Sequence, residues 1–158
     1  MAQSALTLSL ASPQATAQAA VLLANALEAG DVILLSGPIG AGKSHFSRSL
    51  IQSILNEPED VPSPTFTLVQ TYETAKGELW HSDLYRLSNL TEIEELGLAD
   101  AFGDAICLIE WPDRLGDLTP RGALTLELAQ GPTENSRVLS AFWDDPKWIA
   151  RTKSWRAL

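Results

Sequence analysis

The stretch GPIGAGKS places glycines, a lysine and a hydroxyl at the spacing G-x-x-x-x-G-K-S/T. Gly37, Gly40 and Gly42 allow the backbone to turn tightly and to approach a ligand without a Cβ in the way. Lys43 is placed to reach the β- and γ-phosphates of a nucleotide, and Ser44 to offer its hydroxyl to Mg²⁺. The alternative is an ordinary strand-to-helix turn with an exposed lysine. Such a loop does not by itself distinguish phosphate transfer, hydrolysis and signalling.

A phosphate loop usually works with a second acid near the metal, at the end of a buried strand. Glu110 fits this position because it follows the apolar run AICLI and precedes Trp111. Burying a carboxylate there is costly without a partner. Mg²⁺, bound directly or through water, would satisfy it. The alternative is a strand-end glutamate in solvent.

The stretch WHSDLYRL places three polar residues at alternate positions. If the strand is regular, His81, Asp83 and Tyr85 lie on one face. Near phosphates, this set could orient a water molecule or a metal-bound water. The alternative is a polar outer face of the sheet.

The stretch SPTFTL carries two hydroxyls, Ser63 and Thr65, around Pro64. Loops that follow a phosphate-loop helix often supply a hydroxyl that senses the γ-phosphate and the metal. Serine and threonine beside proline are also ordinary loop residues, so the local pattern leaves both interpretations open.

The elements around the phosphate loop have the required order. ALTLSL alternates as a strand does, and the next segment predicts a helix with Ser12 as its cap, Pro13 in its first turn and Gly30 at its end. DVILLSG predicts a buried strand and SHFSRSLIQSIL a helix, so the loop lies between strand and helix.

The second half of the chain predicts mainly strands: TFTLVQTYE and GELWHSDLYRL joined by a turn at residues 75–77, then AICLIEW, GALTLELAQ and SRVLSAFW. LTEIEELGLADAF predicts one short helix with Thr91 as cap and Glu94 completing a capping box. We therefore expect an α/β protein with a small P-loop NTPase fold: a mostly parallel central sheet with antiparallel additions and helices on both faces. Residues 1–158 are expected to form a single domain.

Composition narrows the class of partner. The chain has 158 residues and a net charge of -9, which argues against unaided binding to DNA or RNA. The N-terminal stretch is a poor signal peptide and no stretch is apolar for the ~20 residues of a membrane span, so we expect a cytoplasmic protein. The lone cysteine, Cys107, lies in an apolar run and is expected to be a buried structural thiol.

The tail at about 146–158 differs from the rest of the chain. KWIARTKSWRAL holds four bases and no acid, whereas the rest has 7 bases and 20 acids. Trp148 and Trp155 are seven residues apart and would share one face of a continuous helix. The tail is expected to dock on the acidic surface of its own chain, with a partner's surface as the alternative.

Four stretches in order, GPIGAGKS, SPTFTLVQTY, HSDLYRL and AICLIEWPDRL, resemble the TsaE family from about residue 12 to residue 130. The H-x-D-x-Y-R and IEWP motifs are more specific than the phosphate loop. The resemblance implies a small P-loop ATPase required to make threonylcarbamoyladenosine in tRNA. It also implies ATP and Mg²⁺ as cofactors, TsaD and TsaB as protein partners, and contact with tRNA only through their complex.

The resemblance also assigns residues. It implies Mg²⁺ positions at Ser44 and Glu110, and catalytic or sensing groups at Asp83, Glu110 and Thr65. The implied nucleotide-binding residues are Gly37, Ile39, Gly40, Ala41, Gly42, Lys43, Ser44, His45 and Trp111.

The loop departs from the family pattern G-(D/E)-(L/M)-G-A-G-K-T at Pro38, Ile39 and Ser44. Ser44 keeps the metal hydroxyl, but Pro38 replaces an acid and removes a backbone donor, which leaves any role of that acid in hydrolysis open. Two other functions remain as alternatives: a small-molecule kinase, for which no arginine-rich lid segment is apparent, and a nucleotide-dependent switch without significant hydrolysis.

Overall fold

The computed structural model describes residues 4–38 and 40–158, so the predicted contact Ile39 lies outside the described residues. Its centre is one sheet of seven strands: β1 (Ser4–Leu10), β2 (Val32–Ser36), β3 (Val69–Thr74), β4 (Gly77–Asp83), β5 (Ile106–Glu110), β6 (Leu124–Gln130) and β7 (Arg137–Trp143). Their order across the sheet is β1-β7-β6-β2-β5-β4-β3.

The centre of the sheet is parallel and its margins are antiparallel. β2 pairs in parallel with β5 and β6, and β5 in parallel with β4. β3 adds to one side, and β7 and then β1 add to the other, all in antiparallel pairing. The predicted mostly parallel centre with antiparallel additions is confirmed.

Helices cover both faces of this sheet. They are α1 (Pro13–Ala26), α2 (Lys43–Ile54), α3 (Leu90–Glu95), α4 (Leu98–Asp104) and α5 (Lys147–Arg151), with 3₁₀ helices at Pro112–Leu118 and Lys153–Ala157. Alternate residues of β2 enter different cores: Ile33 and Leu35 pack with α1 and α2, whereas Val32 and Leu34 pack with α3 and α4. The central strands are therefore apolar on both sides, as parallel strands between helix layers must be.

Several predicted boundaries change. Ser12 does cap α1, since its hydroxyl accepts a hydrogen bond from the Ala15 N–H at 3.1 Å. The helix, however, ends at Ala26, and Gly30 lies in the following turn with a φ of 93°. The predicted end was therefore four residues too late.

The capping-box prediction at Thr91 was wrong. Asn89 caps α3 instead, and its side chain accepts a hydrogen bond from the Glu92 N–H at 3.0 Å. Gly97, with a φ of 81°, then divides the predicted single helix into α3 and α4. Both changes follow from local backbone chemistry, because asparagine is a strong cap and glycine readily adopts positive φ.

The strands β3 and β4 are shorter than predicted. The segment 64–67 forms a turn, so β3 begins at Val69 rather than Thr65. β4 ends at Asp83, before Tyr85. The expected alternation therefore holds for His81 and Asp83 and stops there.

The C-terminal tail docks on its own chain, as expected. Trp148 and Trp155 are buried in the core that contains α1 and α2. They lie on two short helices separated at Thr152, not on one continuous helix face. In residues 4–38 and 40–158, no helix is long and apolar enough to cross a membrane.

Candidate functional site

Three parallel strands end at one edge of the sheet and carry the predicted site residues there. β2 leads into the phosphate loop, β5 ends at Glu110, and β4 ends at Asp83. The register pairs Leu35 with Glu110 and Asp83 with Glu110. The sheet thus places the loop and both carboxylates side by side, at the edge where open parallel sheets bind ligands.

The phosphate loop adopts backbone conformations that favour glycine. The φ angles of Gly37, Gly40 and Gly42 are 146°, 84° and 99°. A Cβ at Gly37 would collide with the Leu128 carbonyl of the neighbouring strand. α2 begins directly after Gly42, so its unpaired N–H groups and positive dipole end face the loop.

Lys43 is buried at the start of α2, and its ammonium bends back over the loop. Its Nζ donates to the carbonyls of Gly37 and, at 3.5 Å, Pro38. It also lies 4.0 Å from the centroid of the Trp111 ring. Burial lowers the pKa of Lys43 below its ordinary value, although the nearby carboxylates of Glu110 and Asp83 oppose that shift.

Glu110 is buried and fixed by two side chains. Its Oε2 lies 2.7 Å from His81 Nε2 and accepts a hydrogen bond from the Ser47 hydroxyl at 3.3 Å. His81 belongs to β4 and Ser47 to α2, so strand and helix both set the orientation of this carboxylate. The Nδ1 atom of His81 is buried and has no hydrogen-bond partner within residues 4–38 and 40–158.

Asp83 is oriented by the backbone and by the predicted sensing loop. Its Oδ1 accepts from the Tyr85 N–H at 2.9 Å, and its Oδ2 accepts from the Thr65 hydroxyl at 3.1 Å. Ser63 lies 2.8 Å from the Thr65 hydroxyl oxygen. Leu68, with a φ of 69°, accepts from the Asp83 N–H at 3.1 Å and so ties this loop to the end of β4.

Trp111 forms one wall of the site in an unusual backbone conformation. Its φ and ψ are 57° and 53°, which is uncommon for a bulky residue. The ring packs against Tyr85 with centroids 4.7 Å apart. This turn directs the indole from the end of β5 toward Lys43.

Most predicted site residues share one cavity of about 450 Å³. Its lining residues are Gly40, Gly42, Lys43, Ser44, His45, Ser63, Thr65, Asp83, Tyr85, Glu110 and Trp111. Gly37 and Ala41 belong to the same loop but are not among the described residues that line the cavity.

A smaller cavity of about 170 Å³ adjoins the first, and Gly42 and His45 line both. Pro13 and Asn135 contribute to its wall. His45 Nε2 lies 2.9 Å from the Pro13 carbonyl oxygen, so the start of α2 is tied to the start of α1 at this point.

Sequence reasoning missed two contributors. Ser47 lies four residues after Lys43 on one helix, so helical spacing could have placed it near the site. Arg137 contacts the carbonyls of Gly40 and Ala41 from β7, nearly a hundred residues away. The local sequence around Arg137 carries no signal of that contact.

The site can be compared with known proteins. A family model described as "Threonylcarbamoyl adenosine biosynthesis protein TsaE" matches residues 10–139. The tRNA threonylcarbamoyladenosine biosynthesis protein TsaE of Rickettsia felis is 40% identical over 127 residues, which cover 79% of this chain and 72% of that protein. The TsaE protein of Haemophilus influenzae is 37% identical over 111 residues, or 70% of each chain.

A solved structure supports the fold. The crystal structure of Bacillus subtilis YdiB superposes with a TM-score of 0.76 at 22% identity, covering 98% of this chain and 95% of that one. The family match spans the phosphate loop, Asp83 and Glu110. The chain therefore belongs to the TsaE family, and its role is in the biosynthesis of threonylcarbamoyladenosine in tRNA.

Proposed function

We propose that the chain binds ATP with Mg²⁺ in the larger cavity and hydrolyses it, in association with TsaD and TsaB, to support repeated tRNA modification. One observation carries the proposal: a phosphate loop, a buried cation and two carboxylates line a single cavity at the carboxyl edge of a parallel sheet. The general role in tRNA threonylcarbamoyladenosine biosynthesis follows from membership of the TsaE family. The nucleotide, the hydrolysis and the partner proteins are the proposal.

The phosphates belong over the loop and the start of α2. The glycine backbone leaves room for their close approach, and the helix end adds partial positive charge. Lys43 supplies the full charge. Since burial disfavours its charged form, a phosphate beside it would recover part of that cost.

The base is proposed to occupy the smaller cavity. That cavity shares Gly42 and His45 with the larger one, so one ligand can extend from the phosphate loop into both. The side chain of Asn135 offers a donor and an acceptor there. This arrangement fits a nucleoside joined to a polyphosphate.

The donors at the larger cavity fit Mg²⁺ bound together with a nucleotide. Ser44 and Glu110 both line the cavity and both offer oxygen. No group of three or more His, Cys, Asp or Glu suited to a metal occurs among residues 4–38 and 40–158. Mg²⁺ typically takes only one or two protein ligands and fills its shell with water and substrate phosphate. When bound, it would neutralise charge on the phosphates.

The chain's own residues would then position the attacking water. Asp83 has both carboxylate oxygens oriented, one by the Tyr85 N–H and one by the Thr65 hydroxyl. A carboxylate fixed in this way can accept a hydrogen bond from water or receive its proton. The hydrogen bond from Thr65 links the loop 63–68 to that carboxylate, which suits a loop that responds to the γ-phosphate.

The kinase alternative finds less support. No arginine is among the described residues that line the larger cavity. Arg86 lies over the Phe66 ring at 5.0 Å, and Arg114 donates to the Tyr85 carbonyl at 3.4 Å. Kinases of this fold commonly need several arginines over the phosphates of both donor and acceptor, because their catalysis is mostly electrostatic.

The surface near the site suits a protein partner. Phe66 is 80% exposed and follows Thr65 directly in the chain, and Tyr85 is also exposed. Aromatic residues and arginine are enriched in the parts of interfaces that contribute most to binding. A partner that contacts Phe66 would therefore lie beside the loop that orients Asp83.

The test measures ATP binding, ATP hydrolysis and tRNA modification. Wild-type protein should bind ATP, and Lys43→Ala should weaken binding about 10- to 100-fold because a charge-assisted contact is lost. Hydrolysis should rise when TsaB and TsaD are added, and modified tRNA should accumulate over many cycles. Glu110→Ala should abolish the Mg²⁺-dependent part of ATP hydrolysis. Glu127 is an exposed glutamate on β6, so Glu127→Ala should leave that hydrolysis unchanged.

Each other outcome selects a different function. No ATP binding by wild-type protein would exclude the proposal. Binding without hydrolysis, with or without partners, would indicate a nucleotide-dependent switch. Phosphate transfer to a metabolite in the absence of partners would indicate a kinase.

A further inference from the structure

Arg137, the first residue of β7, reaches the phosphate loop from two strands away along the same edge of the sheet. Its Nε donates to the Ala41 carbonyl at 3.0 Å, and its Nη2 to the Gly40 carbonyl at 3.4 Å. Both acceptors belong to the turn immediately before α2. The arginine therefore contacts the loop through backbone oxygens, and these contacts do not depend on the loop's side chains.

The same guanidinium also fixes the turn between β6 and β7. Its Nη1 donates to the carbonyls of Glu134 at 2.9 Å and of Ser136 at 2.8 Å. Among the described residues, Arg137 forms no salt bridge. Four of its N–H groups are thus directed to backbone carbonyls of two separate segments, and its planar fork connects them.

The geometry of the peptide unit turns these contacts into an effect on the ligand site. In a trans peptide, the C=O and the following N–H point in opposite directions, and the described residues contain no cis peptide. Fixing the Ala41 carbonyl toward Arg137 therefore directs the Gly42 N–H away from Arg137. Gly42 lines the larger cavity.

Gly42 lies directly beside the arginine side chain. A Cβ at this position would lie 3.6 Å from Arg137 Nε, in ordinary contact, but the φ of 99° would strain any other residue. Glycine adopts this conformation without strain but also adopts many others, so an external constraint can narrow the range of conformations at residue 42. The bond from Arg137 to Ala41 provides that constraint.

We infer that Arg137 is a positioning residue that orders the phosphate loop by holding the peptide unit between Ala41 and Gly42 with its N–H toward the cavity. Its role in phosphate affinity rests on the proposed function, whereas its ordering of the loop does not. Among the described residues, Arg137 does not line the larger cavity but does line the smaller one, so it would act on the phosphates through the loop and could touch only the base directly.

The first experiment follows the loop without any ligand. In ¹⁵N-labelled protein, exchange of the Ala41 amide, which donates to the Pro38 carbonyl at 3.1 Å, should accelerate at least roughly tenfold in Arg137→Ala, because the constraint on that turn is lost. Arg137→Lys should restore only part of the protection, since one ammonium cannot reproduce the planar fork. Unchanged exchange in Arg137→Ala, or full restoration by lysine, would overturn the inference.

The second experiment measures affinity for ATP and for inorganic tripolyphosphate. Both should weaken by a similar factor, roughly tenfold, in Arg137→Ala, because the lost contact acts on phosphate binding. Arg151→Ala is the control, since Arg151 is also partly buried and held by its own chain but is ion-paired to Glu28 and Asp31 and belongs to the tail. That variant should lower the melting temperature and leave both affinities unchanged.

The outcomes separate the inference from the function on which it partly rests. If wild-type protein binds neither ligand, the proposed function fails, and amide exchange alone decides whether Arg137 orders the loop. If wild-type protein binds ATP and Arg137→Ala binds equally well with a lower melting temperature, Arg137 is merely structural and the inference is wrong. If Arg137→Ala does not fold, Arg137→Gln provides the same two measurements.

Discussion

Two regions of this chain bury charged side chains, and they resolve the cost of burial in opposite ways. At the phosphate loop, burial lowers the pKa of Lys43 more than nearby carboxylates raise it. At the tail, burial raises the pKa of Asp31, but hydrogen bonds from Arg151, the Glu28 N–H and Lys147 outweigh it and keep that pKa below its ordinary value.

The contacts explain the difference. Asp31 accepts from Arg151 Nε at 2.6 Å and the Glu28 N–H at 2.9 Å, and its other oxygen lies 3.0 Å from Lys147 Nζ. Lys43, by contrast, forms no salt bridge among the described residues and donates only to loop carbonyls. The Asp31 carboxylate is paired with cations of its own chain and therefore stabilises the fold. The Lys43 ammonium has no such paired anion in the described part of the chain and is complementary to an anionic ligand, as the proposed function requires.

Trp148→Ala should produce the largest effect, and the effect should be on the free energy of unfolding and not on ATP affinity. The indole is fully buried, and its N–H donates to the Gly122 carbonyl at 2.7 Å. Removal should lower the free energy of unfolding by about 3–5 kcal/mol, measured by urea titration. Affinity of the folded fraction for ATP should stay within about twofold of wild type, because the tail lies outside the cavity.

The neighbouring residue provides the control for this variant. Ile149 is 51% exposed, so Ile149→Ala should change the free energy of unfolding by less than about 0.5 kcal/mol. A tenfold loss of ATP affinity in folded Trp148→Ala would show that the tail and the site are coupled, and the contrast between the two regions would not hold.

Asp31→Asn should have an intermediate effect that depends on pH. The folded-state pKa lies below the unfolded one, so the carboxylate stabilises the fold above its ordinary pKa, and this contribution is lost as pH falls through the folded-state value. Near pH 6 the variant should lose about 1.5–3 kcal/mol, the range for charge-assisted hydrogen bonds. The difference from wild type should shrink toward pH 3 in urea titrations. A difference that stays constant with pH would mean that shape, not charge, accounts for the loss.

The two regions also differ in how far sequence could predict them. Apolar strands, the phosphate loop and its flanking helix follow local patterns, so the parallel centre and the position of Lys43 were predictable. The cap at Ser12 was predictable for the same reason. The prediction of a cap at Thr91 failed because it gave weight to the capping-box spacing with Glu94, whereas Asn89, two residues earlier, is the stronger capping residue.

Contacts between segments that are distant in the chain had no comparable pattern in the sequence that could predict them. The pairing of His81 with Glu110 depends on the register between β4 and β5, which places the two strand ends side by side. The docking of Arg151 on Asp31 and of Arg137 on the loop depends on how the tail and β7 fold back. Sequence showed a basic tail and an isolated arginine, but tertiary packing decides which carbonyl or carboxylate each one meets.

Pro38→Glu should have the smallest effect and tests the loop at its departure from the family pattern. The Pro38 carbonyl accepts from the Ala41 N–H at 3.1 Å, and a glutamate backbone keeps that acceptor. Loss of the proline ring should reduce the free energy of unfolding by about 0.4–1 kcal/mol through the unfolded chain. The added charge is exposed, so repulsion of ATP should weaken affinity by less than about fivefold.

Measurements at high salt and with a neutral variant separate the effect of the added charge on affinity from the effect of the lost proline ring on stability. The loss of affinity should fade at high ionic strength, because exposed charges are screened, and Pro38→Gln should show the stability change without the loss of affinity. The hydrolysis rate with partners should be alike in the two variants, since Pro38 is not among the described residues that line the cavity. A tenfold difference in that rate would show that an acid here takes part in hydrolysis, and the chemistry of the site would then extend beyond the cavity wall.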